Sequence, residues 1–478
     1  MDTASIQFVL FGLIAAALSS IHRSSAWRSV VLMSASIVFL AMVAHHPIVL
    51  IPLIGFLLLA YIGLALLQSG MSRLRVWSIL AVLLAYIWLK KYSFIPEEVF
   101  LHSPYLTLGL SYIFFRVLHL LIEAGEPGQP RIGPGAYLLY TINFTTFVSG
   151  PIQRFDEFAA DQFAAEPIAL GPRVIGLQVE RIIRGFFKVN VVALLFRTMQ
   201  TGALDQLMHP NAPALMRLWA AFQLAMVYPI FLYANFSGYI DIVIALARLM
   251  HVQLPENFDR PFSAPSVLIF WNRWHITLSN WLKTYVYNPL LMALMRRIPS
   301  LALQPFLGVF CFFVTFFLIG VWHGRTSEFV FFGLLTGGGM SINKLWQIAM
   351  ARALGRKGYK DLANKSFYAA FGRGLNYAWF SFTLFWFWGG WTQIGDVFRA
   401  LGAVQWLATW LAVWVCATVG LALWERLRAA LLSITNSEGP VLLNRYARVI
   451  YATAQCYVSI AVALLLNHAA PDIVYKAF

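Results

Sequence analysis

The sequence predicts an all-α polytopic membrane protein, and three observations lead there. Of 478 residues, 60% are hydrophobic and only 12% are charged, where a soluble domain carries roughly 25% charged residues. Apolar runs recur along almost the whole chain, near 6–21, 28–45, 47–67, 76–89, 104–122, 135–150, 174–196, 213–233, 302–322, 328–350, 375–391, 401–424 and 446–467. A helix needs about 20 residues to cross the hydrocarbon core, and some runs are shorter, which sets the expectation at roughly 11–13 spanning helices with re-entrant or interfacial helices among them.

The first run follows Met1-Asp2-Thr3-Ala4-Ser5-Ile6-Gln7, which has no basic flank, and reads as a retained helix. Arg23 and Arg28 follow the first run, and Arg73 and Arg75 follow the third. Placing these on the cytoplasmic side puts the N-terminus outside. The net charge of +15 fits the same rule, because its basic residues are scattered over the ends of runs. That scatter argues for membrane lipids as the partner and against nucleic acid. Two polar stretches interrupt the pattern. Residues 251–300 are mixed and rich in tryptophan, and residues 351–374 hold Arg352, Arg356, Lys357, Lys360, Lys365 and Arg373, as a cytoplasmic loop would. No repeat or soluble segment appears, so residues 1–478 read as one membrane-embedded domain in an inner membrane.

Within this apolar background a few polar residues stand out. His323 closes the run in Gly320-Val321-Trp322-His323-Gly324. An ionisable group at membrane depth is costly, so it is either packed and hydrogen-bonded or functional. Imidazole is cheaper to place there than a full charge, and it exchanges protons near neutral pH. In the stretch 270–283, a step of about 100° per residue puts Trp271, Trp274, Leu278, Trp281 and Leu282 on one face of a single helix. Asn272, Arg273, Thr277, Ser279, Asn280 and Lys283 fall on the other, with His275 at the border. Such a helix either lies in the interface on its tryptophans or re-enters the membrane beside a polar cavity.

Tyr112, Arg116, His119 and Glu123 share one helical face and read as polar glue or as substrate contacts. Asp241 is a carboxylate in an apolar stretch, with Tyr239 and Arg248 its nearest polar neighbours in sequence. His45, His46 and His209 precede prolines at loops, and no His/Cys cluster suggests a metal. Cys311, Cys416 and Cys456 lie in apolar runs without CxxC spacing. Gly337-Gly338-Gly339 lacks the lysine and hydroxyl of a phosphate loop and reads as a place of close helix packing.

Several blocks, taken in order, resemble the membrane-bound O-acyltransferases, in the bacterial branch of alginate O-acetylation and teichoic-acid D-alanylation enzymes. They are Gly109-Leu110-Ser111-Tyr112-Ile113-Phe114-Phe115-Arg116, Ser149-Gly150-Pro151-Ile152-Gln153-Arg154-Phe155 and Phe236-Ser237-Gly238-Tyr239-Ile240-Asp241. Further on come Pro255-Glu256-Asn257-Phe258-Asp259-Arg260-Pro261-Phe262, Phe270-Trp271-Asn272-Arg273-Trp274-His275-Ile276-Thr277-Leu278-Ser279 and the block around His323, so that the set spans about 105–345. The chain departs from the family pattern at Lys283-Thr284-Tyr285, where Arg-Asp-Tyr is frequent, and at Pro289-Leu290-Leu291-Met292, where the alginate branch differs.

The resemblance implies a ring of tilted helices around a central tunnel, with His323 as catalytic histidine and His275 as second active-site histidine. It makes Gln153, Arg154, Arg116, Tyr239, Asp241, Asn272, Arg273, Trp274, Ser279 and Trp322 candidates for substrate or tunnel contacts. No bound cofactor or metal is implied. The donor would be an acyl thioester, acetyl-CoA or an acylated carrier protein. The acceptor would be hydroxyls of an exported polysaccharide, presented with the help of an extracytoplasmic protein. D-alanyl transfer from a cytoplasmic carrier protein to teichoic acid is the alternative within the family. A transporter or flippase, with Arg116, Glu123 and Asp241 as pathway residues, is the alternative outside it.

Overall fold

The computed structural model describes residues 5–44, 46–101, 103–126 and 130–466; Met1–Ala4 and His45 lie outside the described residues. The expected all-α architecture is present. Seven helices among the described residues are long and apolar enough to cross a membrane: Ser25–Ala44, Pro47–Gln68, Ser72–Leu89, Ala214–Leu249, Gln304–His323, Trp391–Ser433 and Arg445–Leu465, with Ile6–Ser19 a shorter apolar helix. Their outward side chains are themselves apolar, as at Ile14, Leu84, Leu411 and Leu464, each more than half exposed. A soluble surface would not present them in such number.

The count is lower than that of the apolar runs, because run length is not helix length. The run at 104–122 folds as a 14-residue helix, Leu110–Glu123. The run at 135–150 begins as an eight-residue helix, Pro134–Thr141, and then continues as mostly irregular chain whose residues 141–153 are all buried. Irregular backbone at such depth is tolerated only when protein supplies its hydrogen bonds. Here the Arg116 guanidinium donates to the carbonyls of Tyr140 and Thr141 at 3.1 and 2.9 Å and to that of Thr146, and Ser36 Oγ accepts from Phe144 N–H. The basic stretch 351–374, expected as a loop, is largely helical in Ser327–Ala363 and Ser366–Thr383. Arginine and lysine are good helix formers, and the longer helix turns at Gly355, whose φ of 73° suits glycine.

The described chain packs as two compact units. One comprises the residues up to Val189 together with Phe236–Glu256; the other comprises Asn190–Asn235 and the chain from Asn257 onward. In the second unit, Gln304–His323 and Ser327–Ala363 form a tight antiparallel hairpin. A Cβ added at Gly320 would lie 2.2 Å from the Gly333 Cα, and one at Gly337 would lie 2.8 Å from the Phe313 carbonyl oxygen. The glycine run therefore serves close packing, as its sequence suggested. Gly320→Val is expected to lower the unfolding temperature of the purified protein by several degrees, since overpacking costs about 1–3 kcal/mol. Gly338→Ala, whose added carbon meets nothing within 4 Å, is the matched control and is expected not to lower it, since alanine is the better helix former.

Candidate active site

His323 is the last residue of the helix Gln304–His323. Gly324 follows in extended conformation, and a Cβ there would fall 2.0 Å from the Phe329 ring. The absence of a side chain at 324 thus lets Phe329 close over the helix end. The imidazole is 4% exposed and packs edge-on against Phe387 at 5.1 Å and Phe332 at 6.0 Å.

The tryptophan-rich segment is not the single helix its periodicity suggests. It splits into Val267–Trp271 and Ile276–Leu282. The break has a long-range cause: Phe258 pairs antiparallel with Trp274, and Asp259 N–H donates to the Arg273 carbonyl. His275 sits at the break with left-handed backbone, φ 46° and ψ 52°. Few residues other than glycine adopt that conformation, and it is enriched at functional sites. The ring is 1% exposed, and burial pushes its pKa down to about 3, so it is a neutral imidazole.

The two histidines meet the same indole. Trp322 lies with its ring 6.2 Å from His275 and 4.7 Å from His323, centroid to centroid. Of the other residues expected around them, Trp274 is stacked on Phe270 at 5.6 Å and packed by Phe258 and Phe380, which makes it part of the aromatic core. Ser279 is partly buried, and its hydroxyl makes no hydrogen bond among the described residues. Arg273 is partly exposed and Asn272 exposed. The predicted apolar face holds despite the break: Trp271, Trp274, Leu278, Trp281 and Leu282 are all buried.

The remaining candidates belong to the first unit. Arg116 is buried and satisfied by backbone carbonyls, as above, which is a structural use of its charge. Glu123 accepts from Arg154 at 2.9 Å and faces His119 Nδ1 at 3.4 Å, while His119 Nε2 accepts from Phe155 N–H. With that lone pair engaged, His119 is unsuited to act as a base. Gln153 donates through Nε2 to the Gln253 carbonyl, and its own carbonyl accepts from the Tyr140 hydroxyl. Tyr239 is fully buried beside Phe8.

Asp241 is held by three cations, Arg181 at 2.9 Å, Lys188 at 2.8 Å and Arg184 at 3.4 Å, and Arg181 also grips Glu256 with two bonds of 2.6 Å. Gly185 and Gly238 make this possible: a Cβ on either would strike the other's carbonyl oxygen, at 2.5 and 2.7 Å. Sequence reasoning missed these partners, although 181, 184 and 188 share one helical face. Among the described residues, no three His, Cys, Asp or Glu side chains converge as a metal site would require.

Fold and site together define a polytopic membrane protein that buries two histidines against one tryptophan at the end of a spanning helix. The pattern of the MBOAT, membrane-bound O-acyltransferase family, matches residues 41–369, and the chain belongs to that family. It is 31% identical over 244 residues to a teichoic acid D-alanyltransferase of Streptococcus thermophilus, covering 50% of this chain and 57% of that protein. It is 30% identical over 213 residues to a peptidoglycan O-acetyltransferase of Helicobacter pylori, covering 45% of this chain and 38% of the relative. It is also 27% identical over 264 residues to a probable alginate O-acetylase AlgI of Pseudomonas aeruginosa, covering 55% and 46%. The match spans less than two thirds of the length of each of these relatives.

Proposed function

We propose that the protein is an O-acyltransferase of the bacterial inner membrane that moves an acyl group, acetyl in the first reading, from a cytoplasmic thioester to hydroxyls of an exported cell-envelope polysaccharide. The observation that carries this is the convergence of His275 and His323 on Trp322 at a buried helix end. An alcohol is a poor nucleophile at neutral pH. An imidazole within hydrogen-bond reach takes its proton as the new C–O bond forms, an effect of about 10²–10⁴-fold. The tetrahedral oxyanion then collapses, the C–S bond breaks, and the proton passes from the imidazolium to the departing thiolate. We assign the base to His323, which ends its helix at the carbonyl pole, where a transient cation is favoured. Neutral His275 is assigned to hold the thioester carbonyl by an N–H bond as its oxygen becomes negative. Its burial favours it over exposed Asn272 for that task.

Acceptor delivery would require an extracytoplasmic partner protein, and the donor would be acetyl-CoA or an acylated carrier protein. A second reading, D-alanyl transfer to teichoic acid, draws support from the D-alanyltransferase relatives. Proteoliposomes separate the two. Acetyl-CoA and a D-alanyl carrier protein are supplied in turn on the cytoplasmic face, with a soluble polysaccharide bearing free hydroxyls on the other face as acceptor, and thioester consumption is followed. Consumption of acetyl-CoA alone supports the first reading, consumption of the D-alanyl thioester alone supports the second, and inertness towards both overturns both.

Sidedness is tested at Ser279, with Cys311, Cys416 and Cys456 replaced by alanine. Ser279→Cys is expected to react slowly with a small membrane-impermeant thiol reagent and to be protected by the thioester that is consumed. Labelling as fast as an exposed loop, with no protection, would put this segment on the membrane surface and remove the proposed route between the two sides.

A further inference from the structure

We infer that Asn257 is a positioning residue for acyl transfer: it caps the 276–282 helix from outside and thereby holds His275 at the break. The first N–H groups of a helix need acceptors, and the residue in the N-cap place ordinarily supplies one from its own side chain. His275 occupies that place and makes no capping hydrogen bond with its side chain. Asn257 does this work instead. Its carbonyl accepts from Ile276 N–H at 3.0 Å, and its Oδ1 accepts from Thr277 N–H at 3.0 Å and Thr277 Oγ1 at 2.9 Å. The orientation of the amide is fixed by chemistry, since a backbone N–H can only meet the oxygen.

Asn257 is 0% exposed, so loss of its side chain removes a buried acceptor from the Thr277 N–H and hydroxyl, while the backbone bond to Ile276 N–H stays. Its Nδ2 is buried and makes no hydrogen bond among the described residues. The side chain is therefore anchored through its oxygen alone, and its retention at this depth is explained by the capping it performs. Left-handed backbone at a residue with a Cβ persists only when its surroundings over-determine it. Three bonds from one residue, on the two positions next to His275, do so here. The consequence is that the imidazole, released from capping, is directed to the Trp322 ring that also meets His323.

This inference rests on the acyl-transfer reading, and its test is built so that the two fail separately. Full-length Asn257→Ala and Thr277→Val are purified in lipid nanodiscs with 13C-labelled histidine, and the His275 ring resonance is assigned by its disappearance in His275→Gln. Thioester turnover is measured with acetyl-CoA. Asn257→Ala is expected to move the His275 resonance and to lower kcat by about 100-fold, the scale of a misplaced reacting group, with the donor KM changed less than about twofold. Thr277→Val, which removes one bond of the three, is expected to shift the same resonance in the same direction by less, and it provides the reading should Asn257→Ala not fold. An unmoved His275 resonance in both variants overturns the inference, even if turnover falls. Unchanged kcat in both also overturns it. If the wild-type protein consumes no acetyl-CoA, the acetyl reading is lost, and the resonance alone decides whether Asn257 positions His275.

Discussion

Replacing His323 by alanine is expected to lower acyl transfer by about 10²–10⁴-fold, the usual contribution of a positioned general base, while leaving insertion and yield intact. The expectation of normal yield follows from the packing. His323 is the final residue of its helix, so no later turn depends on its side chain, and the hairpin is held upstream by the close approach of Gly320 and Gly333. Truncation leaves a small cavity lined by Phe332 and Phe387, at a cost borne by a large apolar hairpin. Two measurements check the prediction: acyl content of the envelope polymer in a deletion strain carrying the variant, and thioester consumption by the purified protein. Acylation near the wild-type level would refute the assignment of His323 as base. Loss of protein from the membrane would show instead that His323 is a packing residue.

Much of this architecture is legible in the sequence because membrane burial imposes a local rule: the apolar run at 302–322 becomes the helix Gln304–His323 nearly residue for residue. His323 is legible for the same reason, since a polar group ending such a run is conspicuous. What escapes is whatever depends on a distant partner. Periodicity alone continues the helix from 270 to 283, because the strand-like pairing of Phe258 with Trp274 that breaks it comes from another segment. The apolar run at 135–150 likewise gives no hint that its later part stays irregular, because the groups that satisfy its backbone, the Arg116 guanidinium as donor and the Ser36 hydroxyl as acceptor, lie on other helices. Asp241 shows the intermediate case. Its burial was readable, and the spacing of Arg181, Arg184 and Lys188 was readable, but their meeting needs the Gly185–Gly238 approach, which neither stretch reveals alone. Asn257 lies in the Pro255–Phe262 stretch, yet its capping role appears only once Thr277 is seen against it.

His275→Ala and His275→Gly are expected to be almost equally inactive and unequally stable. Both remove the imidazole that meets Trp322, so both lose the group assigned to the thioester carbonyl, and losing one such donor costs about 10²–10³-fold in kcat. The backbone at 275 distinguishes them. At φ 46° and ψ 52°, alanine keeps the clash between Cβ and carbonyl that disfavours left-handed backbone by about 1–2 kcal/mol, and glycine does not have it. The glycine variant should therefore unfold at a temperature several degrees above that of the alanine variant, with no recovery of transfer. This ordering separates chemistry from folding, since a residue that served only the turn would work better as glycine. Thermal unfolding and thioester turnover of the two purified variants are compared under one set of conditions. Transfer restored in His275→Gly relative to His275→Ala would reduce His275 to a turn residue. Equal stability of the two would show that the left-handed conformation is not kept once the imidazole is gone.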